Sequence, residues 1–154
     1  NTALFIHNTL VYANSSGYIY WKLAWAQPSG GAEDAAMVSI GNTGDYIVTP
    51  FYYVMKHYAK NIDAGYKRVE VTSTKQNLNI TGFVNGAKNQ ITLVIINGTA
   101  SAEDVKFEVN GETISAITID QSKEGEFFKR LEGITAGEVT SIPSKTLSTV
   151  VIDL

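Results

Sequence analysis

The sequence predicts an α/β segment over residues 1–65 followed by an antiparallel β-sandwich over residues 66–154. Two observations favour this fold class. The first 65 residues combine apolar positions at helical spacing with a nearly uncharged run that is typical of a buried parallel strand. From Tyr66 onward the apolar period drops to two and short runs recur between turn residues, which indicates a sandwich.

The α/β segment contains a helix, a strand, a loop and a second helix, in that order. The spacing predicts the first helix over residues 3–13 and the buried strand over residues 17–25, and residues 26–36 have the composition of an exposed loop. Thr49 is expected to cap the second helix, which should end before Gly65. This order is that of an α/β barrel or a doubly wound sheet.

The second part contains eight predicted strands, separated by turn residues. Alternation along the strands predicts one buried and one solvent-facing side. Asn-Gly pairs at 85–86, 97–98 and 110–111 are expected to be turns, because they adopt positive φ at little cost. The predicted strands cover residues 68–74, 78–84, 90–96, 105–109, 114–120, 127–131, 139–142 and 147–154.

The composition argues against several classes of function. The net charge is −3 and the basic residues form no stripe, so a nucleic-acid partner is not expected. The absence of cysteine excludes thiolate metal sites and cysteine nucleophiles. No apolar run approaches the roughly 18 residues that span a bilayer, so no membrane partner is expected. Motifs of serine hydrolases, nucleotide hydrolases and dinucleotide enzymes are missing as well.

The titratable residues predict neither a metal site nor a cofactor. His7 and His57 each lie in a predicted helix without an acid or a second histidine one turn away, so each is expected to be a hydrogen-bonded residue at a helix surface or packing edge. Glycoside hydrolysis requires two carboxyl groups at a fixed separation. Glu33 and Asp34 come closest to this requirement, but a solvated pair in a loop is the expectation for them.

Two tryptophans carry the sharper functional signal. On a strand, Trp21 and Trp25 lie on the same face. Sugar rings stack their apolar C–H faces on flat aromatic side chains, and packing in the core is the alternative role for these residues. Lys22 lies between them and requires a partner, either elsewhere in the protein or in a polar ligand, because an unpaired buried charge is costly.

Four segments in this order resemble the C-terminal part of glycoside hydrolase family 30. Members with this pattern include bacterial endoxylanases and glucuronoxylanases, and the sequence-specific likeness covers roughly residues 4–70. The segments are residues 5–10 (FIHNTL), 17–25 (GYIYWKLAW), 46–60 (YIVTPFYYVMKHYAK) and 63–69 (DAGYKRV).

The resemblance implies a (β/α)8 barrel flanked by a β-sandwich, retaining hydrolysis of a β-linked polysaccharide, and secretion. Residues 1–65 would then be the last strand and helices of the barrel. Both catalytic glutamates would belong to an upstream barrel portion of the same enzyme, so no catalytic residue is assigned here and this chain alone is expected to be inactive. Trp21 matches a substrate-contacting tryptophan of the family, and Lys22, Trp25 and Gln27 fall at or near positions that line the glycone subsites.

Specificity is suggested by one departure from the family. Glucuronoxylan-specific members have an arginine in the strand-to-loop segment, where its planar fork binds a carboxylate, and residues 23–27 read LAWAQ here. An endo-β-1,4-xylanase that does not depend on glucuronate side groups is therefore expected. Two alternatives stay open: a β-1,6-glucan or galactan as the polymer, and a non-catalytic carbohydrate-binding or structural sandwich with only four phenylalanines after Tyr66.

The barrel interpretation also predicts an exposed apolar surface. The last strand and helices of a barrel, taken alone, leave uncovered the side chains that the other strands would pack against. Ile19, Trp21, Leu23 and the apolar stripe of the second helix over residues 51–62 should form a large exposed patch.

Overall fold

A computed structural model describes residues 2–26 and 36–154. The chain divides into two compact units, Asn1–Lys56 and His57–Leu154. The division lies inside the second helix, whereas the change of apolar period lies after residue 65. The described helices are ten residues long, and none within these ranges is long and apolar enough to cross a membrane.

The first unit contains helix α1, three short strands and the start of helix α2. Strand β1 is parallel to β2, and β2 is antiparallel to β3. The sequence predicted both helices but neither β2 nor β3, because strands of three residues are too short to show alternation. The elements are α1 (Thr2–Val11), β1 (Ala24–Ala26), β2 (Val38–Ile40), β3 (Tyr46–Val48) and α2 (Pro50–Ala59).

The predicted strand over residues 17–25 is shorter than expected. Only its last residues form β1, and residues 17–23 belong to no strand. The expected burial on both faces is also wrong, since Ile19, Trp21 and Leu23 are 94%, 83% and 67% exposed. Burial on both faces requires neighbouring strands and a covering layer, and in the described ranges no strand pairs with residues 17–23.

Helix α2 begins where predicted, but Thr49 does not cap it with its hydroxyl. The Thr49 carbonyl accepts a hydrogen bond from the Tyr52 N–H at 3.1 Å, while the buried hydroxyl donates to the carbonyl of Ala36 at 2.6 Å. Thr49 therefore fastens the start of the helix to the segment before β2. The helix ends at Ala59, six residues before Gly65.

The second unit confirms the antiparallel β-rich part predicted after Tyr66, and its architecture is compatible with a β-sandwich. Six strands form one sheet in the order β4-β5-β6-β11-β8-β9, and β7 pairs with β10 in a second sheet. The strands are β4 (Lys67–Val69), β5 (Leu78–Val84), β6 (Gln90–Asn97), β7 (Glu103–Val105), β8 (Ala116–Lys123), β9 (Glu126–Leu131), β10 (Thr140–Ile142) and β11 (Thr146–Asp153).

The apolar core of this unit lies on one face of the six-stranded sheet. Pairing places side chains from the three central strands side by side, for example Leu93 opposite Val150 and Val150 opposite Ile119. The fully buried members anchor this layer, and Phe107 and Ile142 pack against it from outside the sheet. The cluster comprises Leu78, Leu93, Ile95, Phe107, Ile117, Ile119, Ile142, Val150 and Ile152.

The other face of the sheet is polar but buried, so the predicted solvent-facing side is wrong for the central strands. Thr81, Thr92 and Thr149 are each at most 1% exposed. The end of α2 and the residues after it cover this face: His57 bonds to Thr149, and Thr92 donates to the carbonyl of Asn61 at 2.9 Å. Threonine suits this position because its hydroxyl bonds to the covering segment.

The three Asn-Gly pairs behave differently from one another. Gly111 adopts the expected positive φ, 79°, whereas Gly86 and Gly98 do not. Asn97 is instead the last, buried residue of β6, and its amide donates to the carbonyls of Ser101 and Ile142 at 3.0 and 2.9 Å. This asparagine therefore fixes the chain between two strands.

Candidate functional site

Three of the four predicted substrate-binding residues lie at or just before β1. Trp21 and Lys22 precede the strand and are joined by a cis peptide bond, and Trp25 is the middle residue of β1. The fourth, Gln27, lies outside the described residues, as do Glu33 and Asp34. The structure therefore places Trp21, Lys22 and Trp25 within five consecutive residues that include the start of β1.

The side chains before β1 alternate between two environments. Tyr18 contacts Phe5 of α1 at a ring-centroid distance of 6.0 Å, and Tyr20 stacks on Phe51 of α2 at 5.8 Å. These even-numbered residues pack against the helices. The odd-numbered residues are exposed, with Trp21 at 83% and Trp25 at 47%.

Lys22 has a partner within the chain. Its ammonium nitrogen lies 3.7 Å from the centroid of the Trp25 ring, which is a cation–π contact. Its carbonyl accepts a hydrogen bond from the Met37 N–H at 3.0 Å. The lysine covers one face of the Trp25 ring, so a sugar could stack only on the opposite face, whereas Trp21 is largely uncovered.

The hairpin of β2 and β3, which the sequence did not predict, lies beside Trp25. Pairing aligns Trp25 with Ser39 and Ser39 with Ile47, so these three side chains share one face of the sheet. At the hairpin tip the Thr43 hydroxyl donates to the Asp45 carboxylate, and this hydrogen bond lowers the pKa of Asp45. The sequence feature that could have predicted this hairpin is the turn composition of residues 41–45, which lie between two short apolar segments.

Both histidines are buried rather than at a helix surface. His7 is 3% exposed, its ring contacts Tyr12 edge-on at 5.7 Å, and burial lowers its pKa. His57 is fully buried, with Nδ1 2.8 Å from the Thr149 hydroxyl and Nε2 2.8 Å from the Ser122 hydroxyl. Within residues 2–26 and 36–154 no three His, Asp or Glu side chains are grouped to hold a metal ion.

The hydrogen bonds around His57 specify its tautomer. Thr149 donates its hydroxyl proton to the carbonyl of His57 at 2.8 Å, so it must accept a proton from Nδ1. Ser122 accepts the Phe128 N–H at 2.8 Å and is free to donate its own proton to Nε2. Nδ1 therefore carries a proton, and the network joins α2 to β8 and β11.

An acidic residue missed by the sequence analysis anchors a charged cluster on the same sheet face. The Asp120 carboxylate accepts two hydrogen bonds from Arg130, at 2.6 and 3.0 Å, and an ion pair from Lys60 at 3.4 Å. Burial favours the neutral acid, but Arg130 and Lys60 outweigh it and hold the pKa of Asp120 below its ordinary value. Because every carboxylate oxygen is paired, this cluster is structural.

The phenylalanines of the second unit are mostly covered. Phe83 and Phe107 are buried, and Phe128 is half-buried against the His57 ring at 4.7 Å. Only Phe127 is exposed, at 39%. The open aromatic surface of the described residues is therefore in the first unit, around Trp21.

Comparisons with known proteins find matches among solved structures only. No protein-family model matches the chain, and no curated protein sequence matches it. A family 30 endoxylanase from Clostridium papyrosolvens aligns with 100% of this chain and 37% of its own, with a TM-score of 0.78 and 23% identity.

Two further xylanase structures give the same result. A glycoside hydrolase family 30 subfamily 8 xylanase from Clostridium acetobutylicum covers 99% of this chain and 38% of its own, at TM-score 0.80 and 22% identity. The catalytic domain of family 30 xylanase C from Talaromyces cellulolyticus covers 99% and 34%, at TM-score 0.84 and 21% identity. This chain thus spans about a third of the length of the enzymes whose fold it shares. The predicted resemblance is confirmed at the level of the fold, which is that of roughly one third of a glycoside hydrolase family 30 xylanase.

Proposed function

We propose that this chain is the C-terminal portion of a secreted, retaining glycoside hydrolase of family 30 that cleaves β-1,4-xylan without depending on glucuronate side groups. In this proposal residues 1–65 complete a (β/α)8 barrel whose remaining part carries both catalytic glutamates. The chain supplies sugar contacts from Trp21, Lys22, Trp25 and Gln27. The observation that carries the proposal is the alignment of the whole chain with about a third of three family 30 xylanases.

The distribution of exposed apolar side chains supports the proposal that a further barrel portion covers the first unit. Ten of the twelve exposed large apolar residues in the described ranges belong to the first unit, and only Phe127 and Val139 belong to the second. A surface this rich in apolar side chains normally marks an interface. The ten exposed apolar residues of the first unit are Leu4, Phe5, Tyr12, Ile19, Trp21, Leu23, Trp25, Ile40, Tyr46 and Ile47.

The exposure of Trp21 supports the sugar-binding role. A core residue would be covered, whereas this indole is 83% exposed on the side away from the two helices. Catalytic groups of α/β barrels lie at the carboxyl ends of the strands, and β1 ends one residue after Trp25. The Lys22 ammonium, held on the Trp25 ring, adds a hydrogen-bond donor for sugar hydroxyls next to this surface.

Complementation of a known enzyme tests the proposal. The upstream two thirds of the Clostridium papyrosolvens endoxylanase would be fused to this chain in place of its own last third, and release of reducing sugar from xylan would be measured. We expect activity from the fusion and none from the 154-residue chain of verified mass. Activity of the chain alone, or a folded but inactive fusion, would contradict the proposal.

Sugar binding by the chain itself is a separate test. Both tryptophans of the sequence lie in the candidate site, so two indole N–H signals in an NMR titration with xylohexaose report on it. We expect Trp21→Ala to weaken binding about two- to tenfold, the range of a lost aromatic contact. Tyr12→Ala, which removes a 75% exposed aromatic ring just after α1, is the matched control and should bind as the wild type does. Tighter binding of β-1,6-glucan or galactan oligosaccharides would change the assigned polymer.

A further inference from the structure

One face of the three-stranded sheet carries polar groups that the site residues above do not include. Trp25, Ser39 and Ile47 are adjacent on this face. Gly41 lies two residues after Ser39, about 7 Å farther along the chain in extended geometry, and pairs with Asp45 through a 2.8 Å backbone hydrogen bond from the Gly41 N–H to the Asp45 carbonyl.

The Asp45 carboxylate lies directly over Gly41. A Cβ atom at position 41 would be 2.5 Å from Oδ1 and 2.9 Å from Oδ2 of Asp45, so only glycine leaves room for the carboxylate there. The Thr43 hydroxyl holds the same carboxylate from the other side and stabilises its charged form. Asp45 is exposed to solvent, so its negative charge is presented at the end of the Trp25 face.

Ser39 gives an independent indication of a ligand. Its side chain is 3% exposed, and among the described residues its hydroxyl has no hydrogen-bond partner. A buried hydroxyl without a partner costs free energy unless a water or a ligand group completes it. Ser39 lies between Trp25 and Ile47, so a bridging water there would link the hydroxyl to a molecule bound on this face.

We infer that this face binds unsubstituted xylose units, with the Ser39 hydroxyl contacting them through a bridging water and the Asp45 carboxylate rejecting chains that carry acidic side groups. A carboxylate accepts hydrogen bonds from neutral sugar hydroxyls but repels a uronate. Lys22 is the opposing charge on this face, and its ammonium is held against the Trp25 ring. The inference rests on the proposed function and specifies the substrate class of the same site.

The test compares two ligands by NMR titration of the 154-residue chain: linear xylohexaose and the same oligosaccharide with one glucuronate side group. We expect the wild type to prefer the neutral ligand. Asp45→Asn should raise the relative affinity for the glucuronate ligand about two- to fivefold, because the repulsion between exposed charges is modest, and added salt should reduce the difference.

Two further variants separate charge from position. Gly41→Ala displaces the Asp45 carboxylate without removing its charge and should also raise the relative affinity for the acidic ligand. Gly17→Ala is the matched control, since a Cβ there meets nothing within 4 Å. Ser39→Ala should weaken binding of xylohexaose about two- to tenfold while leaving Tm equal or higher, because it removes a buried hydroxyl without a partner.

The outcomes distinguish this inference from the proposed function. If Trp21→Ala weakens binding but Asp45→Asn and Gly41→Ala leave the preference between the two ligands unchanged, the inference is wrong and the proposed function stands. A Ser39→Ala variant that lowers Tm and binds normally would show that Ser39 is only structural. If neither ligand shifts the indole signals of the wild type, the proposed sugar site itself fails.

Discussion

At the scale of single residues, the most telling result is that two histidines expected at a helix surface or packing edge are both buried. The hydrogen-bonded character of His57 follows from its Thr149 and Ser122 contacts. Its depth could not be predicted, because the partners lie 92 and 65 residues away in sequence and only folding brings them together.

The Thr149 hydroxyl makes two of the hydrogen bonds around His57, so removing this hydroxyl should destabilise the protein. Thr149→Val keeps the shape but removes the hydrogen bonds that the Thr149 hydroxyl makes with the His57 Nδ1–H and carbonyl, which should cost about 1 to 3 kcal/mol. Urea unfolding at neutral pH measures the change. Thr118→Val, on the same sheet face in the neighbouring strand β8, should change stability by less than about 0.5 kcal/mol; equal losses in both variants would contradict the network.

Asp120 should make stability depend on pH in the acid range. Its pKa in the folded protein is below its ordinary value of 3.8, so its contribution is fully present above that value and is lost as the pH falls through the lower, folded-state pKa. Urea midpoints of Asp120→Asn should therefore fall less steeply below about pH 4 than those of the wild type.

The control for this experiment is Glu108→Gln, which removes a carboxylate that is 72% exposed and pairs only at the surface with Lys106. Its pH profile should follow that of the wild type. Asp45 and Glu103 also have lowered pKa values and keep part of the acid dependence in every variant. Identical profiles for Asp120→Asn and the wild type would show that Arg130 and Lys60 do not hold the charged form.

At the scale of elements, the long sandwich strands were predicted well and the short ones poorly. The prediction for β5 matches the structure at both ends, and β6 differs by one residue. In the first unit β2 and β3 were missed because three residues carry no periodic signal. Local sequence thus determines an element when it is long enough to show its period.

Gly82 in the middle of β5 has a packing role that a test can isolate. A Cβ at this position would lie 2.5 Å from a methyl of Val71 and 3.3 Å from one of Leu93. Gly82→Ala should therefore destabilise the protein by about 1 to 3 kcal/mol through overpacking. Gly86→Ala, where nothing lies within 4 Å and φ is not positive, is the control and should be near neutral. If Gly82→Ala is more stable than the wild type in urea unfolding, the overpacking argument is wrong, because the strands then move apart without cost.

At the scale of the whole molecule, the exposed large apolar side chains of the described residues are concentrated in the first unit. The predicted exposure of Ile19, Trp21 and Leu23 is confirmed. The expected exposure of the α2 stripe is not seen, since its members are half-buried or, like Tyr58 at 8% exposure, buried, and burial raises the pKa of Tyr58. The end of that helix is covered, and the segment before β1 is not.

Self-association of the chain should follow from this surface. We expect sedimentation velocity to show concentration-dependent association of the 154-residue chain and a shift toward monomer in the double variant Ile19→Lys, Leu23→Lys. Val139→Lys, at a 66% exposed apolar residue of the second unit, should associate as the wild type does. A wild type that stays monomeric at every concentration would contradict the idea that this surface needs a partner.

The sequence by itself determined the order of elements, the change of period and the segments that resemble family 30, because helical spacing, alternation and local motifs are properties of neighbouring residues. Only the tertiary structure decided which side of each element is covered. It buried the threonine face of the large sheet under the end of α2, left the Trp21 side open, and brought Ser39 beside Trp25. These outcomes depend on contacts between residues distant in sequence, and no local pattern records them.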